Sequence, residues 1–233
     1  FLSDTYSSLN PSITLLGLPI IGKLDYSLNH FEDRNTDYFI GIGDCKIRMN
    51  WIKRLSTLGV SFPTLIHPSS WVSPSAVIGS GTIIAAHSVV QSDCLLGKGV
   101  IINTSSSVDH DSILGDGVHI CPGVHLAGNV NIGSCSFIGI GSSVIQGKTI
   151  GENVLLGAGS VVTSDLSNDI KAFGILGVTV GLKWEKIQNK FKTLVKKFHP
   201  DINLGNKQYE EKLKLITLAY TQLKNTYKEK IDT

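Results

Sequence analysis

The 233-residue chain is poor in aromatic side chains (7%), carries a single methionine, and has a formal net charge of only +2. So even a charge balance excludes the basic footprint of a nucleic-acid-binding protein. No apolar run reaches the roughly 18–20 residues that a membrane span requires. The N-terminus also lacks the basic-then-apolar pattern of a secretory signal. These two absences point to a cytoplasmic protein with no membrane partner. The four cysteines, Cys45, Cys94, Cys121 and Cys135, show neither CxxC spacing nor a histidine at ligand distance in sequence. That pattern excludes a disulfide framework and predicts no metal. The chain opens on Phe1, without a methionine and inside what reads as a strand, so an N-terminal piece is expected to precede it.

The charge is unevenly spread. Residues 178–233 hold 12 Lys/Arg against 6 Asp/Glu, a balance of +6, and residues 1–177 hold 9 against 13, a balance of −4. The basic character is confined to the C-terminus.

Glycine is abundant, with 24 residues, and its distribution follows a strict period. Seventeen consecutive hexapeptides, from Ile66 to the segment starting at Val162, each begin with an aliphatic residue without insertion or deletion. The fifth position of nearly every unit is small or β-branched, as at Thr82, Ser106, Ser112, Val118 and Ser142, and glycine often follows the aliphatic, as at Gly97, Gly115 and Gly133. A period this short gives a solenoid, because each unit can bury its apolar side only against the next. Three hexapeptides make a turn of 18 residues, which predicts a triangular parallel β-helix over residues 66–171.

Residues 1–65 read as a truncated α/β, Rossmann-like unit. Tyr38–Ile42 is expected as a strand running into Gly41-Ile42-Gly43-Asp44, followed by a helix over roughly Cys45 to Leu58. Ile47, Trp51, Leu55 and Leu58 recur at helical spacing, with Gly59 as the stop. Residues 172–233 read as an antiparallel helical hairpin. Its first helix, over residues 184–198, carries Trp184, Ile187, Phe191, Leu194, Val195 and Phe198 on one face and five lysines elsewhere. After a turn beginning His199-Pro200-Asp201, the second helix repeats Leu213, Ile216, Tyr220 and Leu223.

One polar cluster is not required by the solenoid: Asn103-Thr104-Ser105-Ser106-Ser107-Val108-Asp109-His110-Asp111, and then His119. His110 is third in its hexapeptide and His119 sixth, so neither is an inward ladder position. A carboxylate beside an imidazole raises its basicity and fixes its tautomer, which is what general-base work near neutral pH needs. His87 and His125 lack such company and are expected as surface residues.

Residues 1–175 resemble the hexapeptide-repeat acetyltransferases that modify sialic acid or UDP-4-amino-sugars. The resembling stretches are Phe1-Leu2-Ser3-Asp4, Tyr38-Phe39-Ile40-Gly41-Ile42-Gly43, Ile102-Asn103-Thr104-Ser105-Ser106, Val108-Asp109-His110-Asp111, Val118-His119-Ile120 and Gly157-Ala158-Gly159-Ser160. The resemblance implies a left-handed β-helix homotrimer with active sites between subunits, using acetyl-CoA to acetylate an amine or hydroxyl of a sugar or sugar nucleotide. It implies His110 as general base with Asp111 supporting its basicity, and His119, Ile140 and Ala158 at the acetyl-CoA site. Ser3, Asp4 and Gly43 would hold the sugar nucleotide. In the family a first strand and a Gly-rich phosphate loop would precede Phe1, and Ser3 stands where an acidic residue is usual.

The hairpin resembles a J-domain through His199-Pro200-Asp201, set between a basic helix and the helix from Tyr209 to Tyr220, with a very short helix I before Trp184. That resemblance implies an Hsp70-type chaperone as partner, with His199, Pro200 and Asp201 as the docking trigger and the lysines steering toward an acidic surface. Two functions are therefore expected: a sugar acetyltransferase with an appended J-domain or, alternatively, a J-domain co-chaperone displayed on an inactive trimeric scaffold.

Overall fold

The computed structural model describes residues 14–15, 18–19, 37–173, 178–179, 184–200, 202–203 and 206–228. Ser3, Asp4 and Asp201 lie outside them. Near the N-terminus, Thr14–Leu15 pairs antiparallel with Leu18–Pro19.

Residues 38–42 form no strand, contrary to the sequence reading. Tyr38, Ile40 and Ile42 pack instead against helix α1, Cys45–Ser56, in a small core with Trp51, Ile52, Leu55 and Phe62. Asp44 caps α1 by accepting the Ile47 N–H at 2.8 Å, which satisfies one of the orphan donors of the first turn. Gly59, at φ +82°, ends the segment as expected. The buried face of α1 is rotated from the expected one. It holds Cys45, Arg48, Trp51, Ile52 and Leu55, and Ile47 and Leu58 are about half exposed.

Residues 65–173 form a parallel β-solenoid of about five turns. From Leu65–Ile66 to Val161–Val162 each strand is two residues long and successive rungs of a face lie 18 residues apart, as in Ile102↔Ile120 and Ile120↔Ile138. The final Lys171–Phe173 has three residues and pairs 16 residues on from Leu155–Leu156. The first face stacks Leu65–Ile66, Ile83–Ile84, Ile101–Ile102, His119–Ile120, Phe137–Ile138, Leu155–Leu156 and Lys171–Phe173. The second runs from Trp71–Val72 through Ser107–Val108 to Val161–Val162, and the third from Val77–Ile78 through Ile113–Leu114 to Thr149–Ile150.

The hexapeptide positions have distinct physical tasks. First positions point inward, and from Ile84 to Val162 all are buried. Burying each such side chain stabilises by about 1.5–3 kcal/mol relative to exposure. Fifth positions are also inside, where size is limiting. Ser136 and Ser142 are fully buried, and their hydroxyls bridge successive coils by donating to Gly151 O at 2.7 Å and to Gly157 O at 3.2 Å. Fourth positions take left-handed backbone, as at Asp111 (φ +59°), Gly117 (φ +68°) and Asn129 (φ +56°). Glycine, Asn and Asp accept that conformation with least strain.

The solenoid ends in a reversal. Lys171–Phe173 pairs parallel with Leu155–Leu156, and Val178–Thr179 then pairs antiparallel with it. Helix α2, Trp184–Phe198, and helix α3, Lys207–Lys228, follow. Ile187, Phe198 and Ile216 are buried between them, with Trp184, Phe191, Leu194, Leu213 and Tyr220 packed around. The Phe191 and Tyr220 rings stack with centroids 3.9 Å apart. Of the residues between the solenoid and Trp184, those described are the paired strands Lys171–Phe173 and Val178–Thr179, and no helix I is among them. No helix of the described residues is long and apolar enough to cross a membrane.

Candidate active site

His110 and Asp111 sit on the corner between the second and third faces. Because Asp111 occupies the left-handed fourth position, the backbone turns sharply after His110, and the two adjacent side chains meet. The Asp111 Oδ2 lies 2.8 Å from His110 Nδ1. The Asp111 hydrogen bond pushes the His110 pKa up from its ordinary value against a smaller solvation effect, with the Asp111 and Asp109 charges adding to the rise. Since the carboxylate takes the Nδ1 proton, Nε2 is the nitrogen left to accept one. The imidazole rests on the next coil: a Cβ at Gly128 would lie 2.5 Å from His110 Cε1 and 2.6 Å from Nε2. Only glycine at 128 leaves that ring its place.

His119 lies on the first face, the side of the triangle opposite the His110 corner. It is sixth in its hexapeptide and faces out of the solenoid, but the N-terminal unit covers it to 8% exposure. Its Nδ1 is 3.0 Å from the Gly43 carbonyl oxygen, its Nε2 is 3.4 Å from Asn103 Nδ2, and Phe137 meets it edge-on at 5.0 Å. Burial pushes its pKa down. The Gly43 carbonyl opposes that shift and the Arg48 charge adds to it. The two histidines are therefore driven in opposite directions by solvent and neighbours.

Arg48 was not singled out in the sequence, although it stands at helical spacing from Cys45, Ile52 and Leu55, a charge on an apolar stripe. It is fully buried. Its Nε donates to Gly99 O at 2.8 Å, Nη1 to Ile42 O at 2.8 Å and Gly43 O at 3.0 Å, and Nη2 to Gly117 O at 2.7 Å. It thereby ties the residues before α1 to two successive coils at one solenoid corner. Gly43 comes together with His119, not with His110.

Ile140 and Ala158 lie one coil apart on the corner that follows the first face, where Gly159 N donates to Ile140 O at 2.8 Å. Ile140 is 56% exposed, and the left-handed Gly141 and Gly159 beside the pair add no side chain. The result is a low corner with approachable main chain, on the same side as His119. All four thiols are pushed up by burial, Cys121 to about 12, so none is a thiolate nucleophile near neutral pH.

In the hairpin, His199 and Pro200 follow α2 directly. The Asn203 side-chain amide closes the turn by donating to Lys197 O and His199 O, both at 2.9 Å.

The hexapeptide solenoid and its similarities to solved structures place the chain among the acyltransferases. Residues 1–55 match the PglD N-terminal domain family and residues 171–231 the DnaJ domain family. The acetyltransferase domain of PglB from Neisseria gonorrhoeae, solved with acetyl coenzyme A, is 39% identical, with 75% of this chain and 82% of that one covered and a TM-score of 0.69. A histidine-to-asparagine variant of perosamine N-acetyltransferase from Caulobacter crescentus, solved with CoA and GDP-perosamine, is 36% identical over 74% and 82% of the two chains, with a TM-score of 0.70. The chaperone protein DnaJ of Caldicellulosiruptor bescii is 42% identical over 59 residues, 25% of this chain and 15% of that protein. The chain thus spans about 15% of the length of the curated chaperones it matches. The chain belongs to the hexapeptide-repeat sugar acetyltransferases that include the sialic-acid and UDP-4-amino-sugar enzymes, and it carries a J-domain at its C-terminus.

Proposed function

We propose that this protein transfers the acetyl group of acetyl-CoA to an amino or hydroxyl group of a sugar nucleotide, with His110 as general base. The observation that carries this reading is the His110 imidazole, held at Nδ1 by Asp111 and lying exposed over Gly128 on the solenoid corner. A protonated amine is no nucleophile, so the acceptor must lose a proton as it attacks the thioester carbonyl. Nε2 takes that proton, the tetrahedral adduct collapses with cleavage of the C–S bond, and the proton passes from Nε2 to the departing sulfur, so that CoA leaves as the thiol. The relatives with acetyl-CoA or GDP-perosamine bound support the donor and acceptor classes. The test is release of free CoA thiol on mixing the chain with acetyl-CoA and a panel of nucleotide-linked amino sugars. No release with any acceptor, together with no calorimetric binding of acetyl-CoA, overturns the reading.

His110 points away from the side that carries His119, Ile140 and Ala158, so one chain does not bring base and acyl-donor surface together. This supports a homotrimer in which His110 of one copy works against the His119 side of the next. The outward column Val77, Leu95 and Ile113 on the third face, each between 45% and 61% exposed, offers apolar area for that contact. A trimer is expected in sedimentation equilibrium. A monomer at assay concentration sinks the shared site.

A second reading rests on the DnaJ match: the hairpin engages an Hsp70-type chaperone in the cytoplasm and speeds its ATP hydrolysis. His199→Gln is expected to abolish the stimulation and to leave acetyl transfer untouched. Equal stimulation by the variant removes the HPD trigger from the account.

A further inference from the structure

The Gly43 carbonyl receives two donors, Arg48 Nη1 at 3.0 Å and His119 Nδ1 at 3.0 Å. A carbonyl oxygen only accepts, so the His119 proton sits on Nδ1. The other side of the ring gives the same answer independently. Asn103 Oδ1 accepts the Thr104 N–H at 2.8 Å, which orients the amide so that its NH₂ faces His119 Nε2. Nε2 must then be the unprotonated nitrogen. An imidazolium here would set an N–H against the Asn103 NH₂ and a second positive charge close to Arg48, and the site's burial disfavours it further.

We propose that Arg48 is a positioning residue. Through the Gly43 carbonyl it locks His119 as the neutral Nδ1–H tautomer, whose Nε2 lone pair accepts from the Asn103 NH₂, so that the ring and the Asn103 amide are held in one fixed orientation. The guanidinium suits the task because its planar fork reaches Ile42, Gly43, Gly99 and Gly117 together, which an ammonium cannot do. The consequence for catalysis rests on the acetyl-transfer reading, but the tautomer does not.

The test is a histidine-labelled nitrogen spectrum of the full chain, with the His119 signals assigned by their loss in His119→Gln. Protonated Nδ1 and bare Nε2 at neutral pH are expected. A protonated Nε2 overturns the proposal whether or not the chain turns over any acceptor. In Arg48→Lys the His119 signal is expected to become a tautomer mixture, and turnover to fall on the order of 10²-fold from misplacement of the ring. An unchanged tautomer in a folded Arg48→Lys protein removes Arg48 from the argument. If that variant does not fold, through-hydrogen-bond couplings from Arg48 Nη1 and His119 Nδ1 to the Gly43 carbonyl carbon, read in the unaltered chain, decide it. Both couplings support the lock, and loss of either overturns it.

Discussion

His110→Asn is expected to lower turnover about 10²–10⁴-fold, the usual contribution of a positioned general base, and to leave the thermal transition in place. The second half of that expectation follows from exposure: His110 and Asp111 side chains are 60% and 61% exposed, and the ring supports no core. The pH profile carries the sign. The reaction needs neutral His110, and its pKa lies above the ordinary 6.5 because Asp111 binds the Nδ1 proton. The rate therefore rises with pH through a limb above 6.5 and is lost as pH falls through it. Asp111→Asn removes the carboxylate, so the limb moves to lower pH while the plateau drops, since a weaker base accepts the acceptor's proton less readily. Measuring kcat/KM against pH for both variants decides the matter. A full plateau in His110→Asn would show that some other group takes the proton.

The second large effect is on stability and turns on burial alone. Ile120 and Ile66 are the same residue at the same hexapeptide position on the same face. Ile120 is fully buried at the middle of the ladder, and Ile66 is 48% exposed at its open end. Ile120→Ala is expected to destabilise by about 2–5 kcal/mol, the sum of lost transfer energy and a cavity that neighbouring coils cannot close. A collapse of that cavity would need Ile102 and Ile138 to move, and the strand pairing above and below holds both. Ile66→Ala is expected to cost under about 1 kcal/mol, because less area is buried and no cavity is sealed. Chemical denaturation followed by circular dichroism compares the two. Equal losses would mean that the first coil is buried in the assembly, and the isolated end would then be the wrong reference.

The solenoid was legible because its period is short and unbroken, so each aliphatic in first place reports the same inward direction. The hairpin was legible too, since Trp184, Ile187, Phe191, Leu194, Leu213, Ile216 and Tyr220 all pack as their spacing requires. His110 and Asp111 could be paired in advance because adjacency suffices once the corner turns. His119 could not be assigned its surroundings. Periodicity gives only the direction a side chain leaves the solenoid, and what meets it there is set by Gly43, 76 positions away. The same limit hid Arg48. A helical repeat of apolar residues treats a charge on the stripe as an error of register, whereas four main-chain carbonyls make it a tether. Tyr38–Ile42 misled for a related reason: alternation looks alike in a strand and in a segment whose apolar side chains lie against a helix.

Stacked coils of one size have no natural length, since each new rung offers the next the same row of unpaired N–H and C=O groups. Here the last rung of the first face is Lys171–Phe173, and the chain doubles back so that Val178–Thr179 takes its open hydrogen-bonding side in the opposite direction. A parallel coil from another molecule then finds no matching ladder at that place. The antiparallel return works as a stopper against end-to-end fibre growth. Only four residues separate it from Trp184, and they extend to at most roughly 18 Å with their flanking bonds. A leash that short keeps the base of the hairpin within reach of the stopped end of the column.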